Sequence, residues 1–281
     1  MKTAFMTMDV ESLYDAQCLT SFDIKYDKRF SMENNASLYI DLLEKYNIKG
    51  TFFTVSTSLN VVEDLLKKAA KNGHEIALHG LNHTSPFDIT LEEFKKNTIS
   101  AKKILEEKLE TKVIGYRAPC FGITEEVVKI IQEAGLKYDS SHLNYSRQMK
   151  SGKISLTCFK RISSAIYRNK DFFEFALPKS HLLFSKVPIG GGSYIRLMDW
   201  GLYKKLFKNY VNTHDTFVFY AHPFEIAATK LPSLKGLPIY LKMYFSFFRR
   251  SYLKRLEWVI NYLKDHDFEF LTMREYIEKN K

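Results

Sequence analysis

Cysteine is scarce in this sequence, and long hydrophobic runs are absent from it. The 281 residues include three cysteines, Cys18, Cys120 and Cys158, which are widely spaced and form no Cys-x-x-Cys pair. This excludes a disulfide framework and a sulfur-based zinc site, and it is typical of a reducing compartment. No stretch approaches the roughly 18 consecutive apolar residues of a membrane-spanning helix, and the N-terminus has no apolar signal-peptide region. We therefore expect a soluble, non-secreted, cytoplasmic protein.

Two motifs that would define a function class are also missing. Gly190–Gly192 is not followed by the Gly-Lys-Ser/Thr of a P-loop, which excludes nucleotide binding of that kind, so we expect these glycines to let a substrate approach the backbone. His79 and His83 are four residues apart, but Gly80 stands where the His-Glu-x-x-His protease pattern requires glutamate. The net charge is +10, yet most Lys and Arg residues alternate with Glu and Asp. No recognition motif accompanies them, and we expect no nucleic-acid partner.

Composition and patterning predict one α/β domain over residues 1–281. A chain of this length with 45% hydrophobic residues can bury a full core. Buried strand patterns alternate with amphipathic helical patterns, as in the strand at 49–55 and the helix at 59–72. This alternation, with short turns, predicts a parallel sheet in a barrel-like fold.

Polar residues follow the predicted strands at their carboxyl ends. The set comprises Asp9, Glu11, His79, His83, Arg117, Asp139 and His222. In parallel α/β folds these ends share one face of the sheet, where active sites collect. Neutral imidazoles bind divalent transition metals, and a pair of carboxylates can supply a ligand and a base. Singly each pattern is weak, because paired histidines arise by chance and an isolated Asp-x-Glu is usually a solvated strand end.

In their order along the chain, the motifs resemble those of the polysaccharide deacetylase family, also called the NodB-homology or carbohydrate esterase family 4 group. The motifs are Asp-Val-Glu, His-Gly-x-x-His, Arg-Ala-Pro-x-Phe, Tyr-Asp-Ser-Ser, Gly-Gly-Gly-x-Tyr-x-Arg and His-Pro-Phe-Glu. They look most like the branch found in bacterial surface-polysaccharide gene clusters. The resemblance implies a distorted (β/α) barrel of the NodB-homology type. It also implies a hydrolase, acting on amide but not peptide bonds, that removes N-acetyl groups from an amino sugar of a surface polysaccharide or its precursor.

The resemblance implies a metal site. Glu11, His79 and His83 would bind a divalent ion, expected to be zinc, which would polarise the acetamide carbonyl and lower the pKa of its bound water. The commonest family pattern has adjacent aspartates, whereas in this sequence the ligand position falls to Glu11, two residues after Asp9. The third ligand therefore departs from the family pattern.

The resemblance also implies the catalytic residues. Asp9 would take the proton from the water as general base, with Arg117 holding its carboxylate in position. His222 would donate a proton to the leaving amine as general acid, oriented by Asp139. The products would be a free amine and acetate.

Four further residues are candidates for substrate contact: Pro119, Phe121, Tyr194 and Arg196. Aromatic faces and planar donors suit sugars and attached phosphates. The expected partner is an N-acetylated sugar, an oligosaccharide or a lipid-linked saccharide.

The segment 236–252 is strongly aromatic and basic. Tyr240, Tyr244, Phe247 and Phe248 recur at helical spacing among Lys and Arg residues, a pattern of helices that lie on a membrane surface. In one interpretation this segment gives peripheral contact with the inner face of the membrane. In the other, the aromatic rings pack on the barrel and the basic side chains are solvated.

Two alternative functions remain open at this point. One is an allantoinase-like or cyclic-imide-hydrolysing enzyme of the same architecture, which the substitution of Glu11 for aspartate keeps open and which need not use a metal. The other is a saccharide-binding homologue without catalysis. The presence of both Asp9 and His222 argues against the second, because a binding protein has no need of a base and an acid.

Overall fold

The computed structural model describes residues 2–19, 21–143, 154–182 and 185–280. Its strands are β1 (Lys2–Val10), β2 (Thr51–Thr54), β3 (Glu75–Leu78), β4 (Gly115–Tyr116), β5 (Tyr138–Asp139), β6 (Lys160–Arg161), β7 (Ile166–Asn169), β8 (Phe172–Phe175), β9 (Lys179–Leu182), β10 (Ser185–Pro188), β11 (Thr216–Ala221) and β12 (Phe268–Phe270). Its α-helices are α1 (Met32–Lys45), α2 (Leu59–Lys71), α3 (Leu91–Leu109), α4 (Glu125–Glu133), α5 (Gly192–Leu197), α6 (Trp200–Thr213), α7 (Ile239–Ser246), α8 (Tyr252–Lys264) and α9 (Met273–Lys279).

One curled sheet carries the architecture. Its strand order is β11-β1-β2-β3-β4-β5-β8-β7-β6, and β12 also pairs with β1. The pairs from β11 to β8 are parallel, and β8-β7-β6 are antiparallel. The molecule is thus a mixed α/β protein with a half-barrel sheet, which confirms the predicted fold class. The antiparallel strands arise in the segment 142–185, where the sequence predicts little regular structure and of which 144–153 and 183–184 lie outside the described residues.

Side chains along β1 alternate between two hydrophobic cores, one on each face of the sheet. Ala4, Met6 and Met8 are fully buried, or nearly so, in an outer core between the sheet and its helices. Phe5 lies in an inner core on the concave side, which α9 closes at its base. Because side chains alternate between the two faces of a strand, Asp9 lies on the same concave side as Phe5. The catalytic candidates therefore sit above a floor of aromatic side chains.

Polar residues define where several helices begin. Ser31, Thr90 and Thr124 precede α1, α3 and α4, and each side chain accepts a hydrogen bond from a backbone N–H three residues further on. This satisfies donors that a helix leaves without an internal partner. No helix built from the described residues combines the length and the apolar character needed to cross a bilayer.

Phe175 tests the importance of the inner core. Its ring contacts those of Phe5, Tyr138 and Tyr276, with centroids 5.1, 5.3 and 5.9 Å away. Phe175→Ala should therefore lower the free energy of unfolding by about 3–5 kcal/mol, measured by urea denaturation. The matched Phe87→Ala, at a ring that is 47% exposed, should cost less than about 1 kcal/mol. Equal losses in the two variants would contradict this description of the core.

Candidate active site

The carboxyl ends of four strands in the parallel part of the sheet bring most of the predicted residues to one edge. They supply Asp9 and Glu11 at the end of β1, His79 and His83 after β3, Arg117 after β4, and His222 after β11. Each of these side chains is buried or nearly so, and Asp9, Glu11, His79, His83 and His222 line one cavity of about 930 Å³. Parallel pairing aligns these ends, so residues far apart in sequence converge.

Glu11, His79 and His83 form one cluster. The Glu11 Oε2 atom lies 3.3 Å from His79 Nε2 and also contacts His83 Nε2. One ligand atom from each of the three residues lies within 4.8 Å of the others. The loop after β3 makes this approach because Gly80 (φ 92°) and His83 (φ 59°) both adopt the left-handed region. Glycine tolerates that conformation, whereas for histidine it is uncommon and strained.

The protonation of His79 is determined by its second ring nitrogen. His79 Nδ1 lies 2.8 Å from the carbonyl oxygen of Arg117, and because a carbonyl can only accept, we assign the proton to Nδ1. The Nε2 lone pair of a neutral ring then faces Glu11. Metal-binding histidines have this arrangement, with the other nitrogen held by a carbonyl or a carboxylate.

The protonation of Glu11 and that of the neighbouring histidines depend on each other. Burial alone would raise the pKa of Glu11, but the nearby positive charge of His83 and His222 holds that pKa well below its usual value. Burial opposes protonation of His83, yet the Glu11 carboxylate raises the pKa of this histidine. The buried Glu11 carboxylate is therefore anionic and requires a positive charge beside it.

Arg117 holds Asp9. Its Nη1 donates to Asp9 Oδ1 at 2.6 Å and to Thr7 Oγ1 at 2.8 Å. Its Nε and Nη2 donate to the carbonyl and the hydroxyl of Ser140, and its guanidinium carbon lies 4.0 Å from the centroid of the Phe53 ring. Asp9 Oδ2 is left facing the cavity, 3.8 Å from His222 Nε2. One carboxylate oxygen is thus fixed, and the other is directed toward the site.

His222 is held by Glu225, which corrects the expectation that Asp139 orients it. Glu225 Oε2 accepts the His222 backbone N–H at 3.0 Å and lies 3.4 Å from His222 Nδ1. Burial alone would lower the pKa of His222, but Glu225, Glu11 and Asp9 raise it to about 9. His222 Nε2 faces the cavity, 3.7 Å from Glu11 Oε1.

The glycine triplet, expected to admit a substrate, packs against neighbouring parts of the chain, and Gly192 makes room for Glu225. A Cβ atom on Gly192 would lie 2.0 Å from Glu225 Oε2 and 2.6 Å from the Tyr252 hydroxyl. Ser193 donates to Glu225 Oε1 at 2.7 Å and also contacts the Tyr244 hydroxyl. Glycine therefore permits close approach of α5 to the buried carboxylate.

Asp139 lies on the other face of the sheet. Its register partners are Tyr116 on β4 and Glu174 on β8, and residues paired in this way point to the same side. Tyr116 belongs to the outer core, so Asp139 also faces the helices. Its carboxylate accepts hydrogen bonds from the backbone and the hydroxyl of Ser141. Strand β5 ends at the same edge of the sheet as the site. Because side chains alternate along the strand, however, Asp139 points away from His222.

The predicted substrate residues differ in position. Phe121 lines the cavity, with its ring 5.3 Å from that of Tyr220. Pro119 is buried and packs against Gly80. Arg196 is fully buried and donates to the backbone carbonyls of residues 244 and 247, which corrects its assignment as a substrate contact. Tyr194 is half-buried on α5 and, like Pro119, is not among the residues that line the cavity.

The sequence analysis did not identify two parts of the site. Glu225 forms a capping box with His222. The His-Pro-x-Glu spacing in the sequence is the pattern from which this contact could have been predicted. The second part is an apolar wall, formed by Leu197, Phe224, Tyr240, Leu241, Met243, Tyr244, Phe245 and Phe247. Cys120 also lines the cavity.

Comparison with known families matches two parts of the chain to two different family models. Residues 15–138 match the model for polysaccharide deacetylase, and residues 149–278 match a model described as a domain of unknown function. The chain therefore contains a polysaccharide deacetylase domain, which confirms the resemblance drawn from the motifs. The first match includes His79, His83 and Arg117, whereas Asp9 and Glu11 precede it and His222 falls in the second.

Individual relatives agree with this assignment. The chain is 30% identical over 96 residues to a peptidoglycan-N-acetylglucosamine deacetylase from Bacillus cereus, covering 34% of this chain and 45% of that protein. It is 23% identical over 112 residues to a peptidoglycan deacetylase from Helicobacter pylori, covering 40% and 38%. The chain thus spans less than half the length of these curated relatives.

Solved structures share the fold at low identity. A crystal structure of a polysaccharide deacetylase homologue from Mycobacterium smegmatis superimposes with a TM-score of 0.66 at 18% identity, covering 99% of this chain and 90% of that one. An allantoinase superimposes with a TM-score of 0.62 at 12% identity, covering 98% and 89%. The fold alone therefore does not separate a sugar deacetylase from a ureide hydrolase.

The Asp139–Glu174 pair generates a pH-dependent prediction. Burial raises the pKa of Glu174 well above its usual value, and the neighbouring Asp139 carboxylate raises it further. Protonated Glu174 therefore stabilises the folded state. This contribution is fully present below the unfolded-state pKa of about 4.3 and is lost as the pH rises toward the folded-state pKa, because the buried carboxyl must then ionise. Glu174→Gln cannot ionise, so its free energy of unfolding should fall less between pH 5 and pH 8, by at least about 1 kcal/mol. Urea denaturation at both pH values tests this, and an unchanged difference would contradict it.

Proposed function

We propose that this chain is a metal-dependent hydrolase that removes an N-acetyl group from an amino sugar of a bacterial surface polysaccharide or its precursor. The observation that supports it most directly is the approach of Glu11 Oε2 to His79 Nε2. Among the described residues, no donor reaches this buried oxygen with hydrogen-bonding geometry. A carboxylate and an imidazole lone pair repel each other unless a cation lies between them, so the residues fit a metal ion.

Glu11, His79 and His83 would hold that ion. Two imidazole nitrogens and one carboxylate are a ligand set of catalytic zinc sites, which keep a further position open. Zinc is therefore the ion that we propose. When bound, it would polarise the acetamide carbonyl and lower the pKa of a coordinated water.

Asp9 is the proposed general base. Arg117 fixes one of its oxygens and leaves Oδ2 facing the cavity. A general base needs one carboxylate oxygen within reach of the attacking water, and Oδ2 is the oxygen that Arg117 leaves available.

His222 is the proposed general acid. Glu225, beside Nδ1, raises the pKa of His222 and so favours the protonated ring, which can donate from Nε2 to the leaving amine nitrogen. Glu225 holds the opposite nitrogen and so positions the ring. Proton transfer to the amine completes cleavage of the C–N bond and gives acetate and a free amino sugar.

The two matched segments form one catalytic domain in this proposal. Strands β1 to β5 precede residue 149, whereas β8 and β11 follow it, yet all belong to one sheet. The proposed base, Asp9, precedes the first matched segment, the proposed acid, His222, lies in the second, and Asp9 Oδ2 lies 3.8 Å from His222 Nε2. Catalysis thus requires both parts of the chain.

Zinc binding tests the proposed metal site. Calorimetric titration of metal-free protein should show one equivalent of bound zinc, and His79→Ala/His83→Ala should weaken binding at least about 100-fold because two of three ligands are lost. His181→Ala/His266→Ala removes two histidines outside the cavity and should bind zinc as the wild type does. Equal affinity in all three proteins would place the ion elsewhere.

Acetate release tests the proposed reaction. Wild-type protein with zinc should release acetate from N-acetylglucosamine oligomers, and Asp9→Asn should lower kcat by about 10²–10⁴-fold while retaining zinc binding. Asp23→Asn, at an exposed aspartate, is the matched control. Hydrolysis of a ureide without acetate release would favour the allantoinase-like alternative. Saccharide binding without either reaction would favour a homologue that has lost catalysis.

A further inference from the structure

An exposed apolar surface borders the cavity. It consists of Ile239, Tyr240, Met243, Phe247 and Phe248, which we call the apolar rim, and these side chains are 42–71% exposed. Single exposed apolar residues are ordinary on protein surfaces, but clustered ones indicate an interaction site. Of eleven large apolar side chains exposed among the described residues, five belong to this ten-residue stretch. The clustering therefore requires an explanation.

The apolar rim is continuous with the candidate active site. Ile239, Met243 and Phe247 are spaced four residues apart, so they follow one side of α7 and its extension. Leu241 and Phe245 are buried and anchor the opposite side of the helix. Met243 and Phe247 also line the cavity. A molecule that covers the rim therefore also lies at the mouth of the cavity.

Positive charge surrounds this surface. Between Ile226 and Leu256 the chain has seven Lys and Arg residues and no Asp or Glu. The exposed members of this set are Lys230, Lys235, Arg250 and Lys254. The buried Arg249 differs from them, because its guanidinium donates to the backbone carbonyls of residues 224, 226 and 229. Exposed apolar side chains next to exposed basic residues match an anionic lipid surface.

We propose that the apolar rim docks on an anionic phospholipid bilayer. The docking proposal also names a substrate: an N-acetylated sugar whose lipid phosphate carrier remains in the bilayer. This part rests on the proposed deacetylase function. Charge favours lipid over a second copy of this chain, because a symmetric contact through the rim would bring like-charged residues together. The apolar wall at Met243 and Phe247 then lies beside the lipid, and the polar cluster at Glu11 lies deeper, where the sugar is held.

Vesicle flotation tests the docking surface. The full chain should float with vesicles of equal parts phosphatidylglycerol and phosphatidylcholine, should not float with phosphatidylcholine alone, and should be released by high salt. Arg250→Glu/Lys254→Glu should lower the partition coefficient at least roughly 30-fold, since each basic residue contributes about fivefold. Ile239→Ser/Phe248→Asn, at rim positions outside the cavity, should lower it at least about tenfold.

Matched controls separate this surface from exposed residues in general. Val61→Ser/Ile99→Ser removes two apolar side chains that are 53% and 50% exposed on other helices, and Lys71→Glu/Lys96→Glu reverses two exposed charges there. Both variants should bind vesicles as the wild type does. Equal effects in rim and control variants would overturn the proposal. So would absent flotation, or a concentration-dependent dimer in sedimentation that Ile239→Ser/Phe248→Asn abolishes.

Substrate comparison distinguishes failure of the docking proposal from failure of the proposed function. Acetate release is measured from soluble N-acetylglucosamine oligomers and from polyprenyl diphosphate-linked N-acetylglucosamine in the same anionic vesicles. Ile239→Ser/Phe248→Asn should lose at least about tenfold on the lipid-linked sugar and keep its rate on the oligomers. Equal rates of this variant and wild type on both substrates would overturn the lipid-linked substrate and leave the deacetylase function standing. Flotation without acetate release from either substrate would instead overturn the deacetylase function, and with it the lipid-linked substrate.

Discussion

The candidate site depends on one buried guanidinium. Burying a charge is costly unless it is paired and fully hydrogen-bonded, and Arg117 meets that requirement through Asp9, Thr7 and Ser140. The same residue accepts a hydrogen bond from His79 Nδ1 at its own carbonyl oxygen. One residue at the end of β4 thus orients the proposed base through its side chain and the proposed metal ligand through its backbone. Replacing the Arg117 side chain would leave the buried Asp9 carboxylate without its partner, whereas the backbone carbonyl that holds His79 would remain.

The site combines a polar interior with an apolar entrance. Glu11, Asp9 and His222 concentrate charge against the sheet, and burial strengthens their interaction. The opposite wall, from α7 and the segment that follows it, is apolar and partly exposed. This division suits a molecule with one polar and one apolar part, and it relates the proposed chemistry to the proposed membrane surface.

Strand periodicity accounts for what the sequence could predict. A polar residue directly after a buried apolar run marks a strand end, and parallel pairing brings such ends together, as with His79 and His222. The same reasoning failed for Asp139, because a two-residue strand does not reveal which face each residue occupies, and a shift of one residue reverses it. Arg196 looked like a substrate contact but hydrogen-bonds to backbone carbonyls that only the folded chain presents. Glu225 was not identified, because its contact with the His222 ring depends on the local backbone geometry after β11.

The central claim is that Glu11 joins His79 and His83 around one metal ion. Anomalous X-ray diffraction at the zinc edge, from crystals of the protein grown with zinc, tests this most directly. The account predicts one strong anomalous peak within bonding distance, about 2.0–2.2 Å, of a Glu11 carboxylate oxygen and of both Nε2 atoms. A peak bonded to the histidines but not to Glu11, or no peak between these residues, would contradict it.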